Sequence, residues 1–214
     1  MEFARARTQE QVMRRQEEII NACNTLFSRY GYDGVNFKAI STRTSITRPS
    51  IYNYYETKDE ILLDLLKREI LRWQARLMKV MHNTTIMTKE QFSAFLTESL
   101  VEHWKLGELF SLQYPVLEKN CAVEKLTDLG KVIVQFEAVF AKCLDMYFPT
   151  ASPENKAIFM MVFFPFVRGL YPTSNITPQN KKRKTKQRSS DDILDSVDFR
   201  QTCYEGTLFL LSDL

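Results

Sequence analysis

Turn-forming residues are scarce in this sequence. Its 214 residues include only 6 glycines and 7 prolines, and every proline except Pro49 lies beyond residue 110. That shortage excludes a chain of many short hairpins and leaves helices joined by short loops. Alternating runs of β-branched residues and hairpin dipeptides are missing too. Histidine is nearly absent, with only His82 and His103 at unrelated positions, so no histidine-rich metal site is visible. Cys23, Cys121, Cys143 and Cys203 lie far apart without a C-x-x-C pair. They read as reduced thiols, mostly buried, rather than as metal or redox ligands. Long apolar runs are lacking as well. The densest, AIFMMVFFPFV over Ala157–Val167, is broken by Pro165, closed by Arg168 and too short to span a bilayer. The N-terminal MEFARARTQEQ has no apolar centre of the kind a secretory signal carries. A soluble, cytoplasmic protein without membrane association is expected.

What is present is apolar residue stock at helical spacing. The hydrophobic fraction of 44% supports a sizeable core. Capping chemistry marks the helix starts. Thr8–Gln11, Thr57–Glu60 and Thr88–Gln91 fit a capping box, in which a hydroxyl and an acid or amide satisfy two orphan N–H groups. Ser152-Pro153-Glu154 and Ser190-Asp191-Asp192 offer further N-terminal caps. The fold class expected is all-α. Helices are predicted over Thr8–Tyr30, Phe37–Arg43, a short stretch from the Thr47 cap to about Tyr54, and Lys58–His82. Others are predicted near 88–104, 106–113, 122–147, 153–171 and 191–212. Ile158–Val167 is apolar nearly all round, which suits a helix–helix interface, and Pro165 should kink it. Residues 172–190, containing Lys181-Lys182-Arg183-Lys184, Lys186 and Arg188, read as a flexible, solvated basic loop rather than a DNA-binding arm.

The informative segment is Asn36–Lys58, NFKAISTRTSITRPSIYNYYETK. Two short helices around a turn cannot bury enough apolar surface alone. They must therefore pack on the first helix, through Ile40, Ile46, Ile51 and Tyr55. The second short helix then projects and is narrow enough for a major groove. Its outward chemistry suits nucleic acid: Thr47 and Ser50 can donate hydrogen bonds. Arg48 can fork onto guanine or hold a phosphate, and Tyr52 and Tyr54 can reach phosphates. Lys58 adds a charge at the next helix start, and Lys38 and Arg43 can anchor the flanking backbone. The formal net charge of +3 says nothing by itself; the placement carries the argument.

The stretch from about Glu17 to Leu66 resembles the N-terminal domain of the TetR/AcrR family of bacterial regulators. The resemblance rests on Ile19, Ala22, Leu26-Phe27, Gly31-Tyr32-Asp33-Gly34, Ile40, the run Ile46-Thr47-Arg48-Pro49-Ser50-Ile51-Tyr52-Asn53-Tyr54-Tyr55, and Lys58–Leu62. It departs at Val35, Thr44 and Ser45, where the family usually has threonine, alanine and glycine. Ser45 in place of the turn glycine predicts a slightly different turn with a local side-chain hydrogen bond. The residues expected to contact DNA are Lys38, Arg43, Thr47, Arg48, Pro49, Ser50, Tyr52, Asn53, Tyr54 and Lys58. The resemblance also implies a C-terminal effector domain and a homodimer formed through the last two long helices.

The division expected is residues 1–57 as a DNA-binding unit and 58–214 as a ligand-binding and dimerisation unit. An apolar effector pocket would draw on Trp104, Phe110, Tyr114, Phe136, Phe140 and Phe163, with Glu102, Glu137 and Arg168 as candidate polar contacts. The function expected is a transcriptional regulator, chiefly a repressor, that binds a palindromic double-stranded operator as a homodimer and responds to an unidentified small-molecule effector. No cofactor, metal or catalytic group is implied. The alternative is a helical small-molecule-binding or protein-interaction module with no operator of its own.

Overall fold

The computed structural model describes residues 9–83, 86–112, 116–174, 176 and 198–214. Among these the chain is helical, without strands. The elements are α1 (Gln9–Tyr30), α2 (Phe37–Ser41), α3 (Arg48–Ile51), α4 (Lys58–Asn83) and α5 (Lys89–Glu102). They continue with α6 (Trp104–Leu112), a single turn α7 (Glu118–Asn120), α8 (Val123–Tyr147), α9 (Pro153–Thr173) and α10 (Phe199–Leu210).

Side-chain caps set most of the starts. Asn36 Oδ1 accepts from Ala39 N at 2.9 Å, Thr47 from Ser50 N, and Ser152 from Asn155 N. Thr88 and Gln91 complete a reciprocal box. The box expected at Thr57 is altered: Thr57 Oγ1 accepts from Glu60 N, but the Glu60 carboxylate takes the N–H of Glu56 instead of Thr57's own. Thr8 and the 190–192 cap lie outside the described residues. The last described helix opens at Phe199, where Asp198 caps Gln201 N. α9 runs unbroken through Pro165, an exposed position.

Gly31 ends α1 with φ 69° and ψ −164°. The φ is positive and the ψ places it in a region that only glycine occupies readily, outside the left-handed helical well. Close behind it, a Cβ on Gly34 would stand 2.2 Å from the Tyr30 Cβ. This turn brings α2 and α3 back against α1.

α1, α2 and α3 enclose Ile19, Cys23, Leu26, Phe27, Ile40, Ile46, Ile51 and Tyr55, all buried. The buried face of α4 starts in this cluster and continues through Leu65, Leu66, Ile70, Trp73 and Leu77 into the second one. There α4 packs most extensively on α8, α5 on α10, and α6 on α9. Phe92, Phe136, Phe140, Phe159 and Phe163 fill that core, with Phe140 and Phe163 stacked at 5.7 Å. No described helix is long and apolar enough to cross a membrane.

Candidate DNA-reading head and ligand cavity

The projecting helix is shorter than the sequence suggests. α3 makes one turn, Arg48–Ile51, with Pro49 in its first turn. Beyond it the backbone tightens, with Tyr54 N bonded to Ile51 O at 2.9 Å, and the chain turns at Tyr52–Tyr54. The buried Tyr55 pulls it inward; its hydroxyl donates to Asp64 Oδ2 at 2.8 Å. Burial, reinforced by that carboxylate, pushes the Tyr55 phenol far above its usual range, so it serves as a fixed donor.

The outward residues divide into two sets. Lys38, Arg48, Pro49, Tyr52 and Asn53 are exposed. Tyr52 is steadied edge-on against Phe37, ring centroids 4.7 Å apart. The others are occupied internally. The Thr47 and Ser50 hydroxyls lie 2.9 Å apart and bond each other. Arg43 folds back so that Nη1 donates to Ala39 O at 3.2 Å. Tyr54 is half-buried in a groove with Arg14, Arg15, Glu18 and Ser45. Lys58 is engaged within the head as well. Its Nζ donates to Tyr32 O at 3.2 Å and rests 3.6 Å above the Tyr32 ring, so it ties the glycine turn to α4.

The turn between α2 and α3 is held in a way a single-residue reading misses. Glu18 on α1 accepts the backbone N–H of Ser45, and the Ser45 hydroxyl lies 3.2 Å from the other carboxylate oxygen. Arg15 donates both to the Ser45 hydroxyl and, at 3.3 Å, to Glu18. The Ser45 N–H holds the Glu18 carboxyl below its ordinary value. Among the described residues no non-glycine has positive φ, so this turn does not need the family's glycine.

A second feature is a cavity of about 120 Å³ between α4, α5, α6, α8 and α9. Trp73, Phe110, Phe136 and Phe164 supply its aromatic wall, with Arg168 and Glu137 as its polar groups. Trp73 stacks on Phe136 at 5.0 Å, and the Arg168 guanidinium lies 5.4 Å from the Phe110 ring centre. Of the expected pocket residues, Phe110 and Phe136 line it. Phe140 and Phe163 are core, and Trp104 is half-buried outside the lining. Tyr114 lies outside the described residues. Glu102 pairs at the surface with Arg76 instead. The lining residues missed include Trp73, Gly107 and Phe164. Gly107 was a legible signal, since a glycine inside a helical stretch marks close approach. A Cβ there would fall 1.9 Å from the Tyr171 ring. Among the described residues no group of three or more His, Cys, Asp or Glu side chains gathers to hold a metal.

These two features meet known proteins at both ends of the chain. The family model for bacterial regulatory proteins of the tetR family matches residues 19–65. The model for the tetracyclin repressor-like C-terminal domain matches residues 67–205, more than half of the chain. The chain belongs to the TetR family. It is therefore a helix-turn-helix transcriptional regulator by class, with an all-α regulatory body. The HTH-type transcriptional repressor KstR of Rhodococcus jostii is 22% identical over 136 residues, 64% of this chain and 62% of that protein. The TetR-family chain thus aligns with less than two thirds of that curated relative's length. The fatty acid degradation regulator FadR from Bacillus halodurans superposes with a TM-score of 0.57 at 14% identity, over 93% of this chain and 95% of that one. A TetR/AcrR regulator from Thermobifida fusca gives 0.57 at 16%, over 93% and 97%. At such identities the likeness is one of fold.

Proposed function

We propose that this TetR-family chain is an effector-responsive repressor that binds a near-palindromic double-stranded operator as a homodimer in the cytoplasm. In this reading residues 1–57 are the reader and 58–214 the sensing and dimerising part. The observation that carries it is the split on and around α3. Ile51 and Tyr55 are buried, while Arg48, Pro49, Tyr52 and Asn53 face solvent beside the exposed Lys38 of α2. Arg48 is the reader of base edges or of the flanking phosphate; Lys38 and Tyr52 hold the backbone. Thr47 and Ser50 act first as the cap that builds the helix, and exchange their mutual bond for phosphate oxygens on docking.

Dimerisation is supported by an apolar face that no described residue covers on the last two described helices. Ile158, Met161 and Val162 on α9 are 58%, 75% and 42% exposed, and Phe209 on α10 is 77% exposed. Large side chains this open and this close together favour a partner helix pair. The effector site is the aromatic cavity. Its volume is below the range of roughly 300–1,000 Å³ usual for ligand pockets, so a larger effector must part α6, α8 and α9 to enter. Such a ligand shifts the head spacing only by its preference for the opened body.

The test is selection of bound fragments from genomic DNA by the full chain, repeated with Arg48→Ala. One shared palindrome for wild type, with weakened or relaxed selection by Arg48→Ala, is the expected result. Failure to enrich any site would favour the module without an operator.

A further inference from the structure

Two adjacent arginines on α1 have different duties. Arg15 is committed to the staple with Glu18 and Ser45. Successive helical residues point about 100° apart, and Arg14 stays outside that staple. It is exposed, and no hydrogen bond or ion pair joins it to another described residue. Yet it is not remote from the head. Arg14 lines the polar groove formed with Gln11, Ser45 and Tyr54, and also the neighbouring one that holds Glu17 and Arg43.

The position of the first groove is informative. Ser45 stands just before the Thr47 cap of α3 and Tyr54 just after its last turn. The groove therefore meets the chain on both sides of the projecting helix. A helix with side chains is about 10–12 Å across and the major groove about 12 Å wide, so a seated α3 must have phosphates along its flanks. The charge balance agrees. The negative charge of Glu18 is spent on Arg15 and on the Ser45 N–H, which leaves Arg14 as the uncompensated cation. Glu17, the remaining acid, lines only the Arg43 side. A guanidinium matches the geometry of a phosphate.

We propose that the groove between α1, the Ser45 turn and Tyr54 seats one backbone phosphate of the bound operator, with Arg14 as its cation. This rests on the operator-binding reading above. It adds a contact from the supporting helix, outside the helix-turn-helix itself, that contributes affinity without sequence preference.

The test is a salt series on the selected operator with wild type, Arg14→Ala, Arg14→Lys and, as a control, Arg29→Ala. Arg29 lies on the same helix about 22 Å further on, against the Tyr30 ring at 5.3 Å. Arg14→Ala should reduce the slope of log affinity against log salt by about 1.8, the value for one phosphate from each of the two protomers. It should weaken all sequences equally, leave the selected site unchanged and melt like wild type. Arg14→Lys should restore the slope, and Arg29→Ala should match wild type. An unchanged slope for Arg14→Ala, or an equal loss for Arg29→Ala, overturns this inference alone. A wild-type protein that selects no site overturns the operator-binding reading, and this inference with it.

Discussion

Glu18, on the first helix, accepts the backbone N–H of Ser45 in the turn that separates the two short helices. The turn is thus fixed from outside by a carboxylate 27 positions away in sequence. Replacing Glu18 with Ala removes a charge-assisted bond and leaves the exposed Ser45 N–H to water. We expect a loss of about 1–2 kcal/mol in urea unfolding at pH 7, together with weaker operator binding. Because the folded carboxyl is held below its ordinary value, its contribution is present above pH 4.5 and is lost as pH falls through the lowered value. Wild type and Glu18→Ala should therefore converge in acid. Equal stability at pH 7 would contradict the staple.

Glu108 on α6 presents the opposite sign. Burial raises its carboxyl to about 7 from an ordinary 4.5, and its Oε2 is buried. The folded state therefore favours the protonated acid. Its contribution is intact below pH 4.5 and lost as pH rises to about 7. Glu108→Gln should match wild type near pH 4.5 and be more stable at pH 8.5, by about 2 kcal/mol after allowance for partial solvation. Paired melts at the two pH values decide it; a constant difference would contradict it.

Gly107 and Tyr171 are in close packing beside the cavity, and the Tyr171 hydroxyl donates to Leu100 O at 2.7 Å. Gly107→Ala must displace the ring, so we expect a destabilisation of about 1–3 kcal/mol. Denaturant unfolding checks this, and an unchanged midpoint would show that α6 can shift freely.

Much of the head was legible because its determinants are local. Asn36 and Thr47 cap helices by reaching three residues along the chain, and the spacing of Ile40, Ile46, Ile51 and Tyr55 encodes one buried face. Gly31 was legible as a helix end because only glycine tolerates that backbone. The features that were not legible depend on partners distant in sequence. That Lys58 rests on the Tyr32 carbonyl and ring is one of them. α3 looks like a two-turn helix until Tyr55 is anchored on Asp64. In the body, Phe110, Phe136, Phe140 and Phe163 are equally aromatic in sequence. Which of them border a void depends on helix packing that their spacing does not encode, and so does the role of Trp73.

The exposed apolar face of α9 and α10 gives a prediction about assembly. Met161→Glu combined with Phe209→Glu changes two exposed side chains and should leave the fold intact. If these residues meet a partner helix pair, burying two carboxylates there should weaken dimerisation by roughly tenfold or more. Light scattering across a dilution series, with circular dichroism as the folding check, should show monomers. A dimer of unaltered stability would place the interface elsewhere.

The central claim is that two copies of α3, held at a fixed spacing by one dimer, read two half-sites on the same side of the DNA. The direct measurement is affinity for the selected operator with about half a helical turn, roughly five base pairs, inserted at its centre. The insertion rotates one half-site to the opposite side of the duplex without altering either sequence. The account predicts that affinity falls to the level of a single half-site, and that inserting a whole turn restores part of it only if the dimer can stretch. Undiminished binding to the half-turn operator would contradict the claim.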